Sequence, residues 1–291
     1  MRVGTAERGV ASGFGRRLGR AGAVALGLLG AAVGGCTDEA PADTTVSVTC
    51  VTGRDGSGKA VGCVAGALTD PSGKALEGLR VSACTDETCL TALTDADGLY
   101  RIEGLPIEPH KMEVLGVAKG YLTMCFYRDI TAGTPSIIDR VVRLPALPAA
   151  KVAWPKATGG AAEVLAGRLV LEAAPETLKY PLGTEIEEAV AIEVPVADLP
   201  PFDVAPWEGK EGKSRAFMVQ PFPLKATESA SLTLLGEKGV AAGTPFRLYA
   251  ANALTGKLEE AGMLVADDAG ALVMQPGGSL KNLTTLVIVP N

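Results

Sequence analysis

Gly66–Ala83 (GALTDPSGKALEGLRVSA), Thr91–Pro106 (TALTDADGLYRIEGLP) and Met112–Tyr121 (MEVLGVAKGY) decide the fold of this chain. They read as short strands broken by tight turns. In Thr69-Asp70-Pro71-Ser72-Gly73-Lys74 the proline presets φ and the glycine supplies a positive φ, so the chain reverses there. Leu79-Arg80-Val81-Ser82-Ala83 alternates apolar and polar residues, the period of a half-buried strand. Thr94-Asp95-Ala96-Asp97-Gly98 is a second turn leading into the strand at Leu99-Tyr100-Arg101-Ile102. Lys111 to Ala118 and Ser136 to Leu144 extend the pattern. Nothing beyond residue 36 keeps a helical period over about eleven residues. With 36 Gly and 19 Pro the composition suits an all-β chain rich in turns.

Those three segments resemble the carboxypeptidase regulatory-like domain, a small transthyretin-like β-sandwich, over about 85 residues. The sequence departs from the pattern at Glu108-Pro109-His110, where a Gly usually stands in the turn before the Met112-Glu113-Val114 strand. The resemblance implies a structural or binding module of surface and envelope proteins, an accessory to zinc peptidases that carries none of their catalytic residues.

A second set of strands follows. Val164 to Leu171 opens it, and Ala189 to Val196 is an apolar strand that Pro195 makes an edge or ends early. Leu199 to Lys213 is a loop holding Pro200, Pro201, Pro206 and Trp207. Ser231–Leu234, Pro245–Tyr249, Leu258–Val265, Ala271–Met274 and Leu283–Val289 complete the set. Gly243–Gly262 (GTPFRLYAANALTGKLEEAG) resembles the β-sandwich tail of ZU5-like extracellular modules. The organisation expected is all-β, with two β-sandwich domains at 46–147 and 159–291 joined by a Pro/Ala-rich linker at 148–158.

The beginning of the chain is of another kind. Arg16, Arg17 and Arg20 precede an apolar run from about Ala21 to Val33, too short for a bilayer span of about 20 residues. Gly34 and Gly35 are the small residues of a cleavage site. Cys36 directly after them resembles the lipobox of bacterial lipoproteins. The resemblance implies that residues 1–35 are a signal peptide and that Cys36 is lipidated and becomes the mature N-terminus. Several acyl chains on one residue anchor a protein firmly. Thr37, in place of Asp, leans the sorting towards the outer membrane rather than the inner one. Residues 36–45 are then the lipidated cysteine and a flexible tether. The expected location is the cell envelope.

The chain carries 27 Lys+Arg and 33 Asp+Glu, a net charge of −6. Removing the signal takes away five Arg and one Glu and leaves about −10. Such a surface does not suit nucleic acid or an anionic lipid surface. Five further cysteines, Cys50, Cys63, Cys84, Cys89 and Cys125, would meet an oxidising compartment, where disulfides are the rule. Cys84 and Cys89 flank a loop of hairpin length, and Cys50–Cys63 would close a Gly-rich loop. Either leaves Cys125 as a bridged or buried thiol. One His and no CxxC pair argue against a metal site.

Candidate chemistry is sparse. Gly53-Arg54-Asp55-Gly56-Ser57-Gly58-Lys59-Ala60 fits GxxxxGK, but Ala60 replaces the Mg²⁺-binding Ser/Thr of a P-loop and a strand follows where a helix should. It reads as a loop between strands, without nucleotide. Asp95-Ala96-Asp97-Gly98 begins like a calcium loop, yet loop position 12 is Pro106 rather than a bidentate Glu. A turn accounts for it. His110, beside Pro109 in an inter-strand turn, has no GxSxG-type nucleophile to serve. Trp207 is a candidate ligand contact on its loop, or an anchor packing that loop down. The expectation is a protein that is not an enzyme, has no catalytic residues and no cofactor, and binds or scaffolds an envelope protein. A carbohydrate-binding lipoprotein is the alternative, against which an aromatic content of 4% counts.

Overall fold

The computed structural model describes residues 48–153, 160–174, 177–179 and 188–291. The expected signal peptide, Cys36 and the expected tether to residue 45 lie outside them. The described chain is all-β, and it contains no α-helix.

The first half runs through β1 (Gly53–Arg54), β2 (Ala60–Thr69), β3 (Arg80–Cys84), β4 (Cys89–Leu93), β5 (Leu99–Leu105), β6 (Pro109–Leu115), β7 (Met124–Asp129), β8 (Ser136–Ile137) and β9 (Val142–Arg143). They form two sheets. One joins β1, β2 and β5, with β8 and β9 also on β2; the other has the order β4-β3-β6-β7. Val64 and Leu68 of β2, Val81 and Ala83 of β3, Met112 and Val114 of β6, and Phe126 of β7 meet in the core between them. Tyr100 shares this core, and its ring lies over Gly66, where a Cβ would sit 2.7 Å from the phenolic oxygen.

Four of the turns close by one repeated device. Asp55, Asp70, Asp95 and Asp267 each turn Oδ1 back on the chain, accepting the N–H groups two and four residues ahead at 2.8–3.0 Å. The glycine three residues on has a positive φ in every case: Gly58, Gly73, Gly98 and Gly270. The Ser57 and Ser72 hydroxyls also donate to Asp55 and Asp70 and hold both carboxyls below the usual carboxylate range. The GxxxxGK run is thus the β1–β2 hairpin, and Asp95 spends its oxygen on its own turn.

The second half comprises β10 (Val152–Ala153), β11 (Gly160–Val164), β12 (Leu169–Ala173), β13 (Leu178–Lys179), β14 (Glu188–Val194), β15 (Arg215–Gln220), β16 (Leu224–Leu234), β17 (Pro245–Ala251), β18 (Leu258–Ala266), β19 (Leu272–Met274), β20 (Leu280–Leu283) and β21 (Thr285–Pro290). One sheet of order β10-β14-β15-β21-β17-β18-β19-β16-β12-β11 curls around a second core, with β13 and β20 also on β16. Phe217, Leu232, Leu248, Leu264 and Leu286 lie inside it. β14 stops at Val194, before Pro195. An ion network of Arg168, Glu193, Arg215 and Glu237, with N–O distances of 3.0–3.5 Å, ties the β11–β12 turn to β14 and β15.

β15 and β21 are buried on both faces, which is why their sequences are unbroken apolar runs rather than alternations. Phe217 and Val219 point to the second core, whereas Ala216 and Met218 join Val287 and Val289 in the cluster that continues into the first sandwich. The two sandwiches therefore share an apolar seam. Part of the stretch read as linker is itself a strand, since Val152 and Ala153 pair with Ala189 and Glu188 of β14.

Candidate functional site

Strand alternation decides what lies at the seam. Residues directly opposite one another on neighbouring strands project from the same face. In the β4-β3-β6-β7 sheet the row Ala92–Val81–Val114–Met124 enters the first core, and the rows on either side project from the other face. One such row is Leu93–Arg80–Leu115; another is Cys89–Cys84–Lys111–Tyr127. Between them, on β6 and β7, lie Glu113 and Cys125. The second half covers this face along β7 and leaves a cleft at each end.

At the middle and at the disulfide end the halves fit closely. The turn Asn252–Lys257, between β17 and β18, rests on β7. A Cβ at Gly256, whose φ is +74°, would fall 2.5 Å from the Phe126 carbonyl carbon and oxygen. Lys257 Nζ stands 4.4 Å above the centre of the Tyr127 ring. Lys111 Nζ donates to the Ala253 carbonyl at 3.2 Å and pairs with Glu113 at 2.7 Å. Cys125 is buried here with its Sγ 3.9 Å from the Asn252 carbonyl oxygen, and burial pushes its thiol up to about 12. Tyr127 donates to Asp129 at 2.5 Å, which raises the phenol to about 12. The cleft left at this end measures about 430 Å³ and is lined by polar and charged groups such as Asp86, Glu87, Lys111 and Lys257.

The other end is open. A cleft of about 960 Å³ lies between the Leu93–Arg80–Leu115 row and Val190, Pro221 and Phe222 of the second half. Leu93 is 65% and Val117 54% exposed at its mouth. Lys151 and Glu188 pair across the rim at 2.9 Å. Arg80 and Lys119 have no ion-pair partner among the described residues. Gln220 reaches from β15 to donate its Nε2 to the Thr123 carbonyl at 2.8 Å, and its Oε1 is buried without a partner among the described residues. Among the described residues, Glu188 is the single carboxylate lining this cleft.

The sequence candidates are distributed as follows. Cys84 bridges Cys89, across directly opposed positions of β3 and β4, and Cys50 bridges Cys63. The first staples the hairpin at the tight end; the second packs with Ala65 on the outside of β2. His110 is not in a turn. It is 1% exposed within β6, on the core side with Met112 and Val114, because β6 begins at Pro109 and the alternation carries His110 inward. Its Nδ1 lies 2.8 Å from the Glu108 carbonyl oxygen, and Nε2 has no partner among the described residues, so no nucleophile is paired with it. Trp207 is 7% exposed, edge-on to Phe202 at 6.4 Å and part of the seam cluster. It anchors its loop and offers no ring to a ligand. Among the described residues no group of three or more His, Cys, Asp or Glu is placed to hold a metal ion. No helix among them is long and apolar enough to cross a membrane.

No known family model matches the chain, and no curated protein matches it. Solved structures similar to it include the Bacillus anthracis TIE protein, at 10% identity and a TM-score of 0.27, covering 80% of this chain and 48% of that one. The chain thus spans about half the length of that protein. The Bacillus cereus major pilin subunit BcpA matches at 15% identity and a TM-score of 0.25, covering 79% of this chain and 95% of the pilin. A Bacteroides uniformis protein proposed to bind carbohydrate matches at 10% identity and a TM-score of 0.23, covering 78% of this chain and 79% of that one. None of these likenesses hands this chain a ligand or a partner.

Proposed function

We propose that this protein is a non-catalytic binding module of the bacterial cell envelope, anchored through lipid on Cys36, that holds an envelope protein at the seam between its two sandwiches. The observation that carries the reading is the open end of the seam. An apolar cleft of about 960 Å³ with a charged rim has the dimensions and lining of a binding site. Its chemistry supports binding over turnover. The one lining carboxylate among the described residues, Glu188, is paired with Lys151. A glycosidase-type mechanism needs two carboxyl groups flanking the bond to be cut. Lipid on Cys36 would concentrate the module at the membrane, on the outer membrane by the Thr37 sorting rule. Carbohydrate is the alternative occupant, and the burial of Trp207 removes the one loop aromatic singled out for stacking.

Crosslinking in cells, followed by mass spectrometry, tests this. A discrete envelope protein should be captured by the wild type in the membrane fraction. Cys36→Ser should release the protein from that fraction and reduce capture. Retention on envelope polysaccharide with no captured protein would replace this reading by the carbohydrate one.

A further inference from the structure

We infer that an extended acidic segment of the partner adds as a strand to the free edge of β4 at the mouth of the open cleft, with apolar and acidic side chains sharing the face it turns to the cleft. This rests on the binding reading above and names its ligand.

Three observations converge on that edge. First, β4 is the end strand of its sheet. Its outer edge has no strand partner among the described residues, so its N–H and C=O groups are a template for another chain. Second, β4 presents apolar side chains where an edge strand normally carries charge. Leu93 falls on the outward phase of the strand, beside Arg80, and stands 65% exposed at the cleft mouth. A strand added about 4.8 Å beyond β4 sends alternate side chains to this face, over Leu93 and towards Val117 and Phe222. Third, the charge is complementary to acid. In a chain of net charge −6, this rim carries Arg80 and Lys119 without ion-pair partners among the described residues. Lys119 stands one strand in from that edge: its Nζ lies 3.1 Å from the point where a Cβ on Gly78, just before β3, would be, and the Gly78 N–H donates to the carbonyl of Thr94, the residue after β4. A carboxylate two residues from an apolar one, on the same face of the added strand, would meet these cations.

The test uses the full chain, purified in detergent, and a fluorescent end-capped peptide repeating Leu-Thr-Glu-Thr, which puts leucine and glutamate on one face, read by anisotropy. Binding should weaken as salt rises. The double substitution Arg80→Glu/Lys119→Glu should lower affinity by roughly tenfold or more. Methylating alternate backbone nitrogens of the peptide should abolish binding, because strand addition needs those donors. Equal binding of the same peptide with lysine in place of glutamate, or indifference to the double substitution, overturns the inference. So does Arg80- and Lys119-dependent binding of phosphatidylglycerol vesicles in place of the peptide. If a photo-crosslinker at Val117 captures a discrete protein in cells while the peptide fails to bind, the ligand class is wrong and the binding reading stands. If neither occurs, both fall.

Discussion

The two ends of the seam are built on one face of one sheet, yet they differ in cleft size and in how their charged groups are engaged. At the disulfide end the Asn252–Lys257 turn lies directly on the β7 backbone, and the lysines there are engaged: Lys111 with Glu113 and the Ala253 carbonyl, Lys257 with the Tyr127 ring. At the other end the walls separate, leucine and valine stand in solvent, and two cations lack ion-pair partners among the described residues. The contrast separates cohesion from recognition. One end holds the halves together; the other is left unsatisfied for something else to fill.

Substitutions should divide the same way. The largest effect belongs to Gly256→Ala, which puts a Cβ into a positive φ and against the Phe126 carbonyl. It should cost about 2–4 kcal/mol by denaturant unfolding. The same change should expose Cys125. With its thiol raised to about 12 by burial, Cys125 stays protonated and unlabelled by iodoacetamide at neutral and mildly alkaline pH in the wild type, and reacts once the seam loosens. Next comes the Cys84–Cys89 bridge. With a separation of 5 residues, its removal by Cys84→Ser/Cys89→Ser should lower stability by about 2 kcal/mol, measured against the same protein under oxidising conditions. Lys257→Ala, which removes the cation over Tyr127, should cost about 0.5–1 kcal/mol. Smallest is Arg80→Glu/Lys119→Glu at the open end, where melting should shift by less than about 0.5 kcal/mol in stability while ligand binding is lost. A large loss of stability there would make those cations structural and erase the contrast.

Much of the fold was legible in local residues. Asp and Gly at fixed spacing announced turns such as Asp70–Gly73 and Asp95–Gly98, because the Asp side chain and the positive φ of Gly close the turn without help from the rest of the chain. Leu79–Ala83 alternated because only one face of β3 enters the first core. His110 was misplaced because a Pro-flanked residue reads as a turn, whereas the pairing of Pro109 with Asp129 draws it into β6. The seam was not legible. Arg215–Gln220 and Thr285–Pro290 are apolar on both phases, a sign of strands covered on both sides, but nothing local says by what. Likewise Leu93 departs from the polar phase of its strand, the one local sign of the open cleft. Val117, Gln220 and Phe222 reach it through contacts between distant segments that no spacing rule encodes.

Leu93 and Leu254 make a matched pair, since they are 65% and 69% exposed and line the open and the tight cleft respectively. A photo-reactive amino acid placed at each in turn, with crosslinking in living cells, asks directly which end recognises a partner. The account predicts a discrete crosslinked species from position 93, diminished by Arg80→Glu/Lys119→Glu, and none from position 254. Capture from 254 alone, or the same species in equal yield from both, would contradict it.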